Sequence, residues 1–194
     1  MVNTSIPDEF LAPEPTNKAP VYKYNPDEKF DIDSLRPDLS YQGTDFTLED
    51  DQYDAAKGIV KWLYENPRMR SPYKRLSGNA GTGKSLLISY LLQAREEIFP
   101  KYMRNRPVAV CTYTWKAALV LRARNVNACS IHSIFYKPNG DNEHGVTFER
   151  VPAVDIREEY SMIVVDEASM VDSNTRADIE AIGLPVLYVG DNGQ

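Results

Sequence analysis

The sequence predicts an α/β fold, a parallel sheet with helices on both faces, and three observations carry that prediction. Short apolar runs, Val108-Ala109-Val110-Cys111, Met162-Ile163-Val164-Val165 and Val186-Leu187-Tyr188-Val189, alternate with stretches of helical spacing. A strand covered on both faces reads as a continuous apolar run, and alternation of such strands with helices builds a parallel sheet. Between a predicted strand and a predicted helix lies a glycine-rich loop, Ser77-Gly78-Asn79-Ala80-Gly81-Thr82-Gly83-Lys84-Ser85. The chain has 194 residues and is 42% hydrophobic, enough for one domain of ordinary size with some sequence left over.

Residues 1–44 read as an acidic, Pro-rich extension. Six prolines (Pro7, Pro13, Pro15, Pro20, Pro26, Pro37) and little apolar periodicity predict an extended or disordered lead-in. Order is expected to begin near Phe46, with Thr47 capping a helix on which Tyr53, Ala56, Val60 and Leu63 share a face. A short strand over Lys74 to Ser77 then runs into the glycine loop and a helix from Gly83 to about Ile98. The strand at Val108 is followed by a helix from Trp115 to Arg124, the strand at Met162 by a helix from Asn174 to Ile182, and the strand at Val186 closes the pattern. Turn signals at Asn139-Gly140 and His144-Gly145, with little core pattern around them, predict a small inserted hairpin over 137–156.

Charge is divided unevenly. Residues 1–54 hold 13 acids and 4 bases, net −9, whereas residues 55–194 hold 15 acids and 18 bases, net +3. The overall charge of −6 therefore belongs to the N-terminal part, and the remainder suits a surface that touches phosphate. No apolar run approaches the length of a membrane span and no secretory signal is visible, so a soluble protein made and kept inside a cell is expected, cytoplasmic with a nuclear or organellar place left open, and with no membrane partner. Cys111 and Cys129 sit in no metal or redox spacing and read as reduced, small hydrophobes.

Gly78 to Ser85 matches G-x-x-x-x-G-K-S in full, in the strand–loop–helix context that the motif requires. This marks a P-loop NTPase. Backbone N–H groups of Gly78, Asn79, Ala80, Gly81, Thr82 and Gly83 would wrap the phosphates of ATP, Lys84 would pair with the β and γ phosphates, and Ser85 is placed to ligate Mg2+. The strand at Met162 delivers Asp166-Glu167. Asp166 would hold the magnesium, and Glu167 would orient and deprotonate the attacking water, which favours hydrolysis over transfer to a substrate.

Asp166-Glu167-Ala168-Ser169-Met170, followed by Val189-Gly190-Asp191-Asn192-Gly193-Gln194, resembles motifs II and III of superfamily 1 DNA helicases, closest to the RecD and Dda type that moves 5′ to 3′. Thr112-Tyr113-Thr114-Trp115-Lys116-Ala117-Ala118 is similar to that family's A-P-T-x-K-A-A segment, with Tyr113 in place of the usual proline. Ser130-Ile131-His132-Ser133 is similar to its T-I-H-S segment, and Gln52 stands where its adenine-reading glutamine precedes the P-loop. The resemblance runs from about Phe46 to the last residue and implies a RecA-like motor domain over 45–194.

Carried over by position, Thr114, Lys116, His132 and Ser133 are implied to contact the backbone of single-stranded DNA without reading sequence. Trp115 offers a ring for base stacking or a core aromatic. The hairpin is implied to meet the replication fork as a wedge, with Phe148 against the last base pair, and Gln194 is implied to sense the γ-phosphate. The family pattern continues into a second RecA-like domain with an arginine finger, so the resemblance implies a first motor domain that binds ATP weakly and does not unwind by itself as a monomer. Two other classes stay open. A loader-type P-loop ATPase would share Lys84, Ser85, Asp166 and Glu167 but would not need Gln52 or the 112–118 and 130–133 segments. A non-enzymatic module would act through the acidic tail, which also offers a replication or recombination protein a docking segment.

Overall fold

The computed structural model describes residues 25, 27–41, 44–65, 73–142 and 145–191. The central sheet has five strands: β3 (Tyr73–Ser77), β4 (Val108–Thr112), β5 (Ala128–Ser130), β8 (Met162–Asp166) and β9 (Val186–Gly190). Their spatial order is β3-β9-β8-β4-β5, and every pairing is parallel. The fold is thus the α/β, P-loop NTPase arrangement that the apolar runs predict.

Alternate residues of each strand serve opposite faces, because successive side chains on a strand point to opposite sides. Val110, Met162, Val164, Leu187 and Val189 join one buried cluster with α1 (Asp50–Glu65), α2 (Lys84–Gln93) and α5 (Trp115–Arg122). Ala109, Cys111, Ile163, Val165, Val186 and Tyr188 join the other, with α6 (Ile131–Phe135), α7 (Ala153–Glu159) and α8 (Ser173–Ala181). Each fully buried Val, Ile or Leu contributes about 1.5–3 kcal/mol, which is why the central runs needed no alternation to be legible. Cys111 and Cys129 are register partners on β4 and β5, both free and buried. Burial pushes the Cys129 thiol up to about 11 and the Cys111 thiol well above its ordinary value, so both stay neutral and inert.

Several expectations are corrected. The helix expected from Gly83 to Ile98 ends at Gln93; after Ala94 come two short turns, α3 (Arg95–Ile98) and α4 (Lys101–Arg104). Phe99 is extended before Pro100, as a residue preceding proline must be, so α3 stops there. Nothing in the sequence marks the break at Ala94. The lead-in is not featureless over its described part: it forms a 3-10 turn, Ile32–Ser34, and an antiparallel pair, β1 (Asp38–Tyr41) with β2 (Thr44–Thr47), while Leu35 and Leu48 join the buried cluster of α1 and α2 and Phe30 and Ile32 pack against it, with Leu35 only 3% exposed. Thr47 pairs with Asp38 in this antiparallel hairpin rather than capping a helix.

The inserted hairpin is smaller than 137–156. It is formed by β6 (Tyr136–Asn142) and β7 (Gly145–Arg150), and its expected C-terminal end is helix α7, anchored by buried Ile156. Asn139-Gly140 makes no turn; it lies within β6, at a register shift between Pro138 and Asp141. His144 lies outside the described residues, as do residues 1–24, 66–72 and 192–194. No helix among the described residues is long and apolar enough to cross a membrane.

Candidate nucleotide site

The C-terminal ends of four strands meet at one edge: Ser77 is level with Gly190, and Thr112 with Asp166. Ligands of open α/β sheets bind at this edge, where the strands give way to loops and helix N-termini. The P-loop begins there. Gly78 N–H donates to Gly190 O at 3.3 Å, and Thr82 folds back through both its N–H and its hydroxyl onto Asn79 O. A side chain at Gly78 would start 2.8 Å from the Thr82 hydroxyl. Gly83 has φ 80° and precedes α2 with no side-chain cap, so first-turn N–H groups of a ten-residue helix face the loop.

Lys84 reaches back across the loop. Its ammonium donates to Gly78 O at 2.7 Å, Asn79 O at 2.9 Å and Asp191 Oδ1 at 2.6 Å, so all three donors are engaged. Gln52, on the first turn of α1, is held at both ends of its amide. Its Oε1 accepts from Glu49 N–H at 3.1 Å and its Nε2 donates to Thr82 O at 3.0 Å. One donor and one lone pair remain, in a fixed orientation. Asp51, Gln52, Leu76, Thr82, Lys84 and Leu87 line a cleft of about 160 Å3 between α1 and the loop.

Asp166 ends β8, and one of its carboxylate oxygens accepts from Glu167 N–H at 3.0 Å. Burial raises the Asp166 pKa, with Asp191 adding to the rise and that bond and the Lys84 charge opposing it. Glu167 is exposed and stands in the left-handed region at φ 54°, uncommon for a residue with a side chain and a mark of a constrained position. Partial desolvation of its carboxyl raises its pKa, followed by the charges of Asp166 and Asp191. Ser85 follows Lys84 in the first turn of α2. A serine hydroxyl and one carboxylate, with water and phosphate oxygens, make the hard-oxygen set that suits Mg2+, so the residues fit the ion that the sequence implied.

Asp191 is the residue that sequence reasoning passed over. It was read only as part of a motif, yet it pairs with Lys84 and its charge acts on Asp166 and Glu167. Its signal was its place just past the apolar run that ends at Val189. Gln194 lies outside the described residues.

The residues expected at DNA follow neighbouring strand ends, since Thr112 is level with Ser130. Thr114 caps α5, its hydroxyl accepting from Ala117 N–H at 3.2 Å. Ser130 caps α6 and shares a 2.7 Å hydroxyl contact with Ser133, so Thr114 and Ser133 both serve local structure. Lys116 and His132 are exposed, with the His132 ring tilted against the Tyr136 ring. Trp115 packs against both core clusters with the Arg122 guanidinium 4.6 Å from its ring. Phe148 stands apart on the hairpin, 59% exposed. A cavity of about 430 Å3 lies elsewhere, against Gln93, Val108, Asn127 and Tyr160 near the N-terminal half of β4, and none of the residues expected at DNA lines it.

Among solved structures, the chain is similar to a Pif1 helicase described in DNA unwinding at forked double-stranded DNA, with 19% identity and a TM-score of 0.49 over 75% of this chain and 34% of that one. A Bacteroides Pif1 bound to single-stranded DNA matches at 20% identity and a TM-score of 0.47, over 70% and 31%. The large terminase of bacteriophage HK97 matches at 17% identity and a TM-score of 0.45, over 80% and 35%. The chain thus spans about a third of the length of these structures. No curated protein matches. A family model described as AAA domain matches residues 47–194, most of the chain and the whole of the site just described, and the chain belongs to that family.

Proposed function

We propose that this chain is an ATP-binding, ATP-hydrolysing motor domain of the superfamily 1 DNA helicase type. One observation carries the reading. Lys84, Asp166, Glu167 and Asp191 converge at the sheet edge from which the 112–118 and 130–133 segments also leave, so a phosphate site and a candidate strand track share one rim.

Within the site, the P-loop amides and Lys84 bind the phosphates, and Gln52 offers its remaining donor and lone pair to the adenine edge. Ser85 and Asp166 would hold Mg2+, which supplies charge neutralisation across the phosphates when bound. Glu167, which follows Asp166 at the strand end and is exposed to the site, positions water and takes its proton, helped by a pKa that partial desolvation and then the charges of Asp166 and Asp191 raise. Lys116 and His132 lie exposed for strand phosphates, and Phe148 for stacking at a fork. Movement 5′ to 3′, service in DNA replication or repair inside the cell, and recruitment through the acidic N-terminal part are further parts of the same proposal.

The test is Mg2+-dependent ADP binding and single-stranded DNA binding by this chain, beside Lys84→Ala and Lys116→Ala. Lys84→Ala should abolish nucleotide binding, and Lys116→Ala should weaken DNA binding alone. Nucleotide binding without any affinity for DNA would favour the loader-type ATPase; binding of neither ligand would refute the enzyme reading.

A further inference from the structure

Two consecutive backbone carbonyls in the N-terminal segment are taken by tyrosine hydroxyls from two different helices. Tyr53 of α1 donates to Leu35 O at 2.5 Å, and Tyr90 of α2 donates to Arg36 O. Leu35 is buried, and the chain returns to the same spot when Leu48 N–H donates to Pro37 O at 2.9 Å just before α1 begins. Burial first, and the neighbouring Tyr53 second, push the Tyr90 hydroxyl up to about 12, so it stays protonated and donating at any ordinary pH.

The two helices so joined carry the two halves of the nucleotide site. Tyr53 immediately follows Gln52, and Tyr90 lies on the helix that begins at Lys84. The fit between these halves is close: a side chain at Gly83 would start 2.3 Å from the Gln52 amide nitrogen, and Gln52 meets Thr82 O at 3.0 Å. A slide of α1 against α2 by about an ångström would break that bond and re-aim the amide, and errors of that size are costly at a recognition site.

Resting on the nucleotide-site reading above, we infer that the Leu35–Arg36 strap positions the base-reading half of the site. It staples α1 to α2, with Tyr53 and Tyr90 as positioning residues that hold Gln52 against the phosphate loop. The exposed Arg36–Glu97 ion pair at 3.4 Å adds little, because such pairs are screened by water.

The experiment compares wild type, Tyr53→Phe/Tyr90→Phe and the control Arg36→Ala, which keeps both carbonyls. Calorimetry with Mg2+ reads affinity for ADP, which has a base, and for inorganic triphosphate, which has none. The double variant should bind ADP about fivefold more weakly, the equivalent of one lost hydrogen bond, with triphosphate affinity within about twofold of wild type and Arg36→Ala unchanged. In nucleotide-free protein, amide exchange should quicken at residues 48–53 and 82–84 but not at 87–92. Equal losses for both ligands, an unchanged ADP affinity, or faster exchange along the whole of α1 and α2 would overturn the staple. A wild-type chain that binds neither ligand would refute the nucleotide reading itself, and the staple's purpose with it.

Discussion

Lys84 and Asp191 form a 2.6 Å ion pair between the first turn of the phosphate-loop helix and the end of β9, with the lysine side chain 14% exposed and the aspartate 38%. Together with two loop carbonyls, the aspartate occupies every donor of the ammonium. An incoming phosphate must therefore compete with Asp191. Asp191→Asn should tighten binding of inorganic triphosphate in the absence of magnesium by about three- to tenfold at low salt, while stability moves by no more than about 1 kcal/mol for so exposed a partner. Calorimetry and thermal melts read both, and weaker triphosphate binding would reject the competition.

Asp166 gives a pH signature. Burial raises its pKa, so the folded state keeps the proton to higher pH than the unfolded chain does. Its favourable contribution is fully present below the ordinary carboxylate value of about 3.9 and is lost as pH rises through the raised folded value. Asp166→Asn should therefore raise the melting temperature near pH 7 and have little effect near pH 3.5, at the cost of Mg2+-dependent nucleotide binding. A stabilisation equal at both pH values would show that the carboxylate is not the cause.

The three central strands were legible because residues such as Ile163, Val165 and Leu187 are buried on both faces, which leaves a mark in every position of the run. The P-loop was legible because its chemistry fixes residue types in consecutive positions. Three kinds of feature left no such mark. Ala128–Ser130 is a three-residue strand, too short for a pattern, and α7 shows a single fully buried residue, Ile156, among charged neighbours. The segment around Leu35 is held by carbonyls that accept from distant tyrosines, which no local periodicity encodes. Asp191 was written in the sequence, but only proximity to Lys84 shows what it meets. The Thr47 cap failed because hairpin pairing with Asp38 claimed the residue first.

Two loop glycines separate backbone strain from contact. Gly81 and Gly83 have φ 84° and 80°, so alanine at either is strained by about 1 kcal/mol. Among the described residues a side chain at Gly81 meets nothing within 4 Å, whereas one at Gly83 runs into the Gln52 amide. Gly81→Ala and Gly83→Ala should destabilise to a similar degree, yet only Gly83→Ala should erase the preference for ADP over inorganic triphosphate. Equal effects on that preference would mean that Gln52 does not read the base from this position.

Asp178 of α8 holds both ends of the inserted hairpin: Tyr136 donates its hydroxyl to Oδ2 at 2.9 Å, and Arg150 pairs with Oδ1 at 2.8 Å. Phe148, in contrast, is 59% exposed, and its side chain joins neither buried cluster. Asp178→Ala should cost about 1–3 kcal/mol, since it strands a half-buried tyrosine hydroxyl, whereas Phe148→Ala should stay within about 0.5 kcal/mol of wild type. In a helicase that contains this domain, both changes should slow unwinding while DNA-stimulated ATP hydrolysis continues, because one lets the hairpin swing and the other removes its stacking ring. Since Phe148→Ala leaves the fold intact, a parallel loss of unwinding and hydrolysis in that variant would assign Phe148 to strand binding and reject its role as a wedge.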